Sequence, residues 1–157
     1  MITTQDDIVS IFNIFHDGSI VEYQSLGDVI ILTIEILYLS ERIDPKFNSF
    51  YLHLRGVENL KFVTWPNIAE NEPDCFSDYS EIFKVDLEIL SCKFANDTFN
   101  IFCNQADSVY DFCGGELSLN VNSAEVFDEA QKEYSIDELS ELCSGYWEDW
   151  EQKNKKN

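Results

Sequence analysis

His16-Asp17-Gly18 is the sharpest candidate for acid–base chemistry in this sequence. An imidazole beside a carboxylate can move a proton or ligate an ion, and the glycine marks an element boundary where such groups reach solvent. The spacing forces nothing, because neighbouring loop residues often point apart and Asp17 also reads as a turn former. His53 lies on the polar side of a strand between Leu52 and Leu54, where it would meet another ionisable group only if that sheet face is covered. One reading is therefore an enzyme whose cleft, under the 67–80 loop, gathers His16, Asp17 and His53.

Other chemistries find less support. The chain has two histidines, and its five cysteines (Cys75, Cys92, Cys103, Cys113, Cys143) lack the paired spacing of a zinc site, so no metal and no cofactor is expected. Cys113-Gly114-Gly115 could present a thiol, but Asp107, Asp111 and Glu116 nearby would discourage the thiolate. Asp86 and Glu88 fall on one face of a strand about 7 Å apart, a carboxylate pair of the kind glycoside chemistry uses and also an ordinary solvated face. Phosphate-binding glycine loops, nucleophile elbows and HExxH are absent from the sequence.

Charge is the stronger signal. Thirty acidic against ten basic side chains leave a formal charge of −20. Such a surface repels nucleic acid and anionic membrane and attracts basic proteins. From Asp107 to Glu151 stand thirteen carboxylates and one cation, Lys132. Within that stretch Glu138, Glu141, Glu148, Asp149 and Trp150 are the candidate partner-binding residues: acidic groups to steer a cationic partner, and large aromatics (Tyr134, Tyr146, Trp147, Trp150) to anchor it if they lie outside the core. The bland alternatives are a solubilising surface and a helix whose aromatics are simply its buried stripe. A mimic of nucleic-acid charge is a third class.

These groups need a scaffold, and the hydrophobic pattern describes one. Val29 to Leu39 alternates as a long central strand, with Ile30, Leu32, Ile34, Ile36 and Tyr38 on the apolar face. Ile20–Tyr23 pairs with it across Gly27-Asp28, and further strands are expected at Phe50–Leu54, Leu60–Trp65, Glu81–Lys93, Phe99–Cys103 and Leu117–Val121, the last extended through Val126-Phe127. Residues 105–115 read as irregular. Thr4 can cap a helix over residues 3–15, which Gly18 would end with a positive φ. Ser135-Ile136-Asp137-Glu138 is a capping box for a longer C-terminal helix, followed by a frayed tail at 152–157. The expectation is one domain over 1–157, mainly β. It comprises about seven antiparallel strands in a meander, curved into a sandwich or partly open barrel, with a short helix at one end and a longer one at the other.

The N-terminus lacks the basic and apolar regions of a secretory signal, so a cytoplasmic protein with free thiols is expected. The segment FHDGSIVEY, followed by the long apolar strand and a strongly acidic β-rich remainder, resembles small bacterial proteins grouped with the immunity proteins of polymorphic toxin systems. That resemblance implies a cytosolic protein that binds and neutralises a cognate toxin, has no chemistry of its own, and contributes no catalytic residues.

Overall fold

Thr4 starts the first helix by accepting a hydrogen bond from the Asp7 N–H, and α1 runs Gln5–Ile14 with Asp6 and Asp7 in its first turn, where the helix dipole favours them. In the computed structural model, which describes residues 1–155, the residue that leaves the helix with φ of +68° is Asp17, not Gly18. Aspartate tolerates this region better than most side chains do. Gly18 is needed for space instead, since a Cβ there would lie 3.0 Å from the Phe15 carbonyl oxygen and 3.1 Å from the side chains of Ile34 and Ile36.

The strands follow as β1 (Ser19–Leu26), β2 (Val29–Glu35), β3 (Ser49–Arg55), β4 (Glu58–Pro66), β5 (Cys75–Phe76), β6 (Leu87–Ala95), β7 (Thr98–Asn104), β8 (Phe112–Asn120), β9 (Ser123–Phe127) and β10 (Glu133–Tyr134). Every pairing is antiparallel, in the order β10-β9-β3-β2-β1-β6-β7-β8-β4-β5. As expected, β2 is interior and Ile30, Leu32, Ile34 and Ile36 are buried. The β-rich reading with a helix at each end is what the chain adopts.

Several boundaries differ. The strand from Val29 stops at Glu35, and Leu37–Ser40 turns into the short helix α2. The Ser40 hydroxyl donates to the Ile36 and Phe47 carbonyls, a local bond that competes with the sheet ladder. Residues 81–86 are not strand: Tyr79–Ile82 is a helical turn, α3, and β6 begins only at Leu87. Residues 112–115, expected to be irregular, open β8. Val126-Phe127 belongs to a separate strand, β9, which pairs with β3 rather than prolonging β8. The last helix, α4 (Ile136–Lys155), includes 152–155, so that part of the expected frayed tail is helical, while 156 and 157 lie outside the described residues.

The sheet order and the chain connection together dictate a fold-over. β8 and β9 stand six places apart in the sheet, a span of about 29 Å if the sheet were flat. Only Val121 and Asn122 join them, and from Asn120 to Ser123 the chain reaches at most about 11 Å. The sheet must therefore bend back on itself, bringing β9-β3-β2 opposite β7-β8. β1 and β6 meet through only two residue pairs, Ser19–Glu88 and Ile20–Leu87, and form the corner.

Where β1 and β6 part, α1 fills the wedge. The Asn13 side chain accepts from the Cys92 N–H and donates to the Cys92 carbonyl, replacing a missing strand partner. On the other side Tyr79 and Phe83 pack on Tyr23. The void left between the halves, among Phe12, Leu32, Leu54 and Leu117, is only about 10 Å³, the space of one water and no more. That part of the interior is packed core rather than a ligand chamber.

Candidate functional site

The C-terminal helix begins as its sequence dictates. The Ser135 hydroxyl accepts from the Glu138 N–H, and the Glu138 carboxylate accepts from the Ser135 N–H, a reciprocal cap. That cap and Lys132, 3.0 Å away, hold the Glu138 carboxyl below its ordinary value. The apolar stripe then runs Leu139, Leu142, Cys143, Tyr146 and Trp150 at three-four spacing. Leu139 is fully buried, and Leu142, Cys143 and Tyr146 are half-buried. Yet Trp147 is 37% and Trp150 49% exposed. At about 30 Å long the helix overhangs the body, so its stripe continues past the last residue able to cover it. The reading of these aromatics as a buried stripe holds to Tyr146 and fails beyond.

The overhang is braced from two sides. His16, at the end of α1, stacks on Trp147 with centroids 5.7 Å apart and planes 12° apart. Tyr38 of α2 meets Tyr146 at 4.5 Å and Trp147 at 6.2 Å, and its hydroxyl donates to the His16 carbonyl at 2.8 Å. Burial raises the Tyr38 phenol well above its usual range, so it stays a neutral donor. Arg42, just past α2, reaches Asp149 at 2.8 Å. A hollow of about 200 Å³ opens between Tyr38, Tyr146 and Trp150, with Glu41 and Asp149 among its walls. His16, expected in a cleft, and Asp149 and Trp150, expected on one acidic face, thus bound a single aromatic face where three helices converge.

Not every expected residue joins it. His53 lies on β3 against Phe127, at 4.6 Å, and burial lowers its pKa against the pull of Glu125; it is not on the hollow that Tyr38 and Trp150 wall. Asp17 is 3.8 Å from His16 and largely exposed. The hollow by the 67–80 loop, about 270 Å³, is walled by Asn71, Glu72, Asp74 and Asp111 rather than by His16. A larger cleft, about 610 Å³, is lined by Lys84, Asp86, Glu88, Gln105, Asp107 and Cys113. Asp86 precedes β6, so the strand on which it was expected to alternate with Glu88 begins one residue later, although both carboxylates line this cleft. Among the described residues no three histidine, cysteine or carboxylate groups converge as a metal site, and no helix is long and apolar enough to cross a membrane.

The acidic last third is not one patch. Asp128 is buried and accepts from the Tyr134 hydroxyl and from the Ala130 and Lys132 N–H groups. Glu129 accepts from the Asn48 and Ser49 N–H groups, and Glu125 is held by Arg55 at 2.7 Å. These carboxylates stitch loops and strands. Glu141 and Glu148 remain exposed on the outer side of α4 and pair with nothing among the described residues. Tyr134, expected as an anchor, is buried.

Sequence reasoning missed the part Tyr38 plays because the apolar run 29–39 read as one strand, whereas Leu37–Ser40 is helical; Glu41 and Arg42, which follow that turn, were not singled out. No family model matches the chain, and no curated protein or solved structure matches it.

Proposed function

We propose that this protein is a non-catalytic acidic binding protein, an immunity-type inhibitor that engages a basic protein, with a toxin domain such as a nuclease as the leading partner. The observation that carries the reading is the overhang of α4. Trp147 and Trp150 stand half out of the fold beside the exposed carboxylates Glu148 and Glu151, on a chain of net charge −20. Large rigid aromatics with an acidic rim match the anatomy of a protein interface, where anchors supply affinity and charges supply encounter rate. The space among Phe12, Leu32, Leu54 and Leu117 is too small for a small-molecule ligand, which also favours a surface role.

The test is binding to the product of the adjacent gene, co-expressed and then purified as a separate protein. Association should slow steeply as salt rises. Replacing Glu138, Glu141, Glu148 and Asp149 with Lys should cut the association rate at low salt at least tenfold and flatten its salt dependence. A folded charge-reversed protein that associates at an unchanged rate overturns the acidic-face mechanism.

A further inference from the structure

The geometry points to a receptor for one arginine side chain of that partner, in the hollow between α2 and α4; this rests on the binding-protein reading above. The volume, about 200 Å³, is below the roughly 300–1,000 Å³ of small-molecule pockets and suits a single long side chain. Three aromatic rings wall it, Tyr38, Tyr146 and Trp150. Tyr38 is half-buried and its hydroxyl donates to the His16 carbonyl, so its ring offers a neutral π surface to a cation.

The chain already shows what the hollow accepts. Arg42 places a guanidinium at its edge, with Nη1 2.8 Å from Asp149, and Nη2 lies so close to α4 that a Cβ on Gly145 would be 2.9 Å from it. A planar guanidinium is thus accommodated between α2 and α4, in reach of a carboxylate and on a hollow that three aromatic rings line, an arrangement that suits arginine better than the compact ammonium of lysine. Asp149 is neutralised by Arg42, but Glu41, also on the wall, has no ion pair among the described residues. Glu41 is the carboxylate open to a guest. Lys153 stands at the rim on the same hollow and competes with it.

N-acetyl-argininamide is a direct probe, titrated into the full chain with chloride matched, against N-acetyl-lysinamide and the neutral N-acetyl-norleucinamide. The three tryptophan indole N–H signals, of Trp65, Trp147 and Trp150, are followed by NMR. The Trp150 signal should move and saturate in the millimolar range with the arginine probe, move less with lysine and not with norleucine, while Trp65 stays fixed. Lys153→Ala should tighten the arginine response several-fold, and Glu41→Gln should abolish it. An unmoved Trp150, or equal shifts with all three probes, overturns the receptor. Equal shifts with arginine and lysine overturn the guanidinium assignment. If the purified partner binds and depends on Trp150, yet the arginine probe neither shifts Trp150 nor competes, the receptor fails while the binding reading stands. If the probe binds and no basic partner does, the receptor stands and the binding reading fails.

Discussion

His16 and Trp147 stack ring on ring, 5.7 Å between centroids, and so fasten the middle of α4 to the end of α1. The contact joins the only imidazole near α4 to an indole that is still 37% exposed, which separates what this side chain does for the fold from what it does for a partner. Trp147→Ala should lower stability by more than about 0.5–1.5 kcal/mol, the share of an aromatic pair beyond its buried area, and leave the fold otherwise unchanged. Trp150→Ala should cost less stability still, yet weaken partner binding by about 2 kcal/mol or more, as central aromatic anchors do. Urea unfolding and titration of the partner, on both variants, separate the two effects.

The wedge between the sheet halves depends on Phe12, which is fully buried. Phe12→Ala should destabilise by about 3–5 kcal/mol, seen as a lower urea midpoint with the slope unchanged. A loss under about 1 kcal/mol would mean that α1 is not the plug described above.

Gly114 and Gly115 are required by close strand approach. A Cβ would meet the Cys103 carbonyl oxygen at 2.2 Å from Gly114, and the Val63 carbonyl oxygen at 2.5 Å from Gly115. Both obstacles are backbone and cannot swing aside. Either substitution to Ala should destabilise by about 1–3 kcal/mol, the range for overpacking, and thermal melting will check it.

Burial depresses the His53 pKa below its ordinary 6.5. The unfolded chain then takes up this proton at higher pH than the folded chain does. Stability carried by neutral His53 is full above 6.5 and declines as pH falls through the interval down to the folded value. Glu125, held below 4.5 chiefly by its hydrogen bond from Arg55, adds a loss of the same sign at lower pH. Between pH 7 and 5, His53→Gln should therefore lose less stability than the parent chain, measured by urea unfolding at each pH.

The five thiols are all unpaired, and they differ in access. Cys75 and Cys113 are exposed and should react with an aromatic disulfide reagent at once. Cys92 and Cys103 are buried, with pKa values pushed up to about 12, and should react only after unfolding; rapid labelling of four or five groups in the native protein would contradict the fold.

Local pattern carried much of this fold. The capping box, the hairpin at Gly27-Asp28, the turn at Asn96-Asp97 and the even face of β2 follow from short-range rules, and each is found where its residues place it. Long-range pairing was not legible. Nothing in Ser123–Phe127 says that it belongs beside β3, because alternation is the same whichever neighbour a strand takes. The face at α4 was half legible: Trp150 lies in phase with Leu139 and Tyr146, but a helical period cannot tell where the body beneath the helix ends. Tyr38 was hidden for another reason, since a short apolar run does not distinguish strand from helix.

The fold-over at Val121-Asn122 also sets an order of events during synthesis. β3 needs β9 on its outer edge, and Arg55 finds Glu125 only 70 residues later. While the ribosome makes those residues, the β2–β3 hairpin waits with an unpaired edge, a surface on which nascent chains associate wrongly. The heavy negative charge of the chain would hold neighbouring copies apart through that interval.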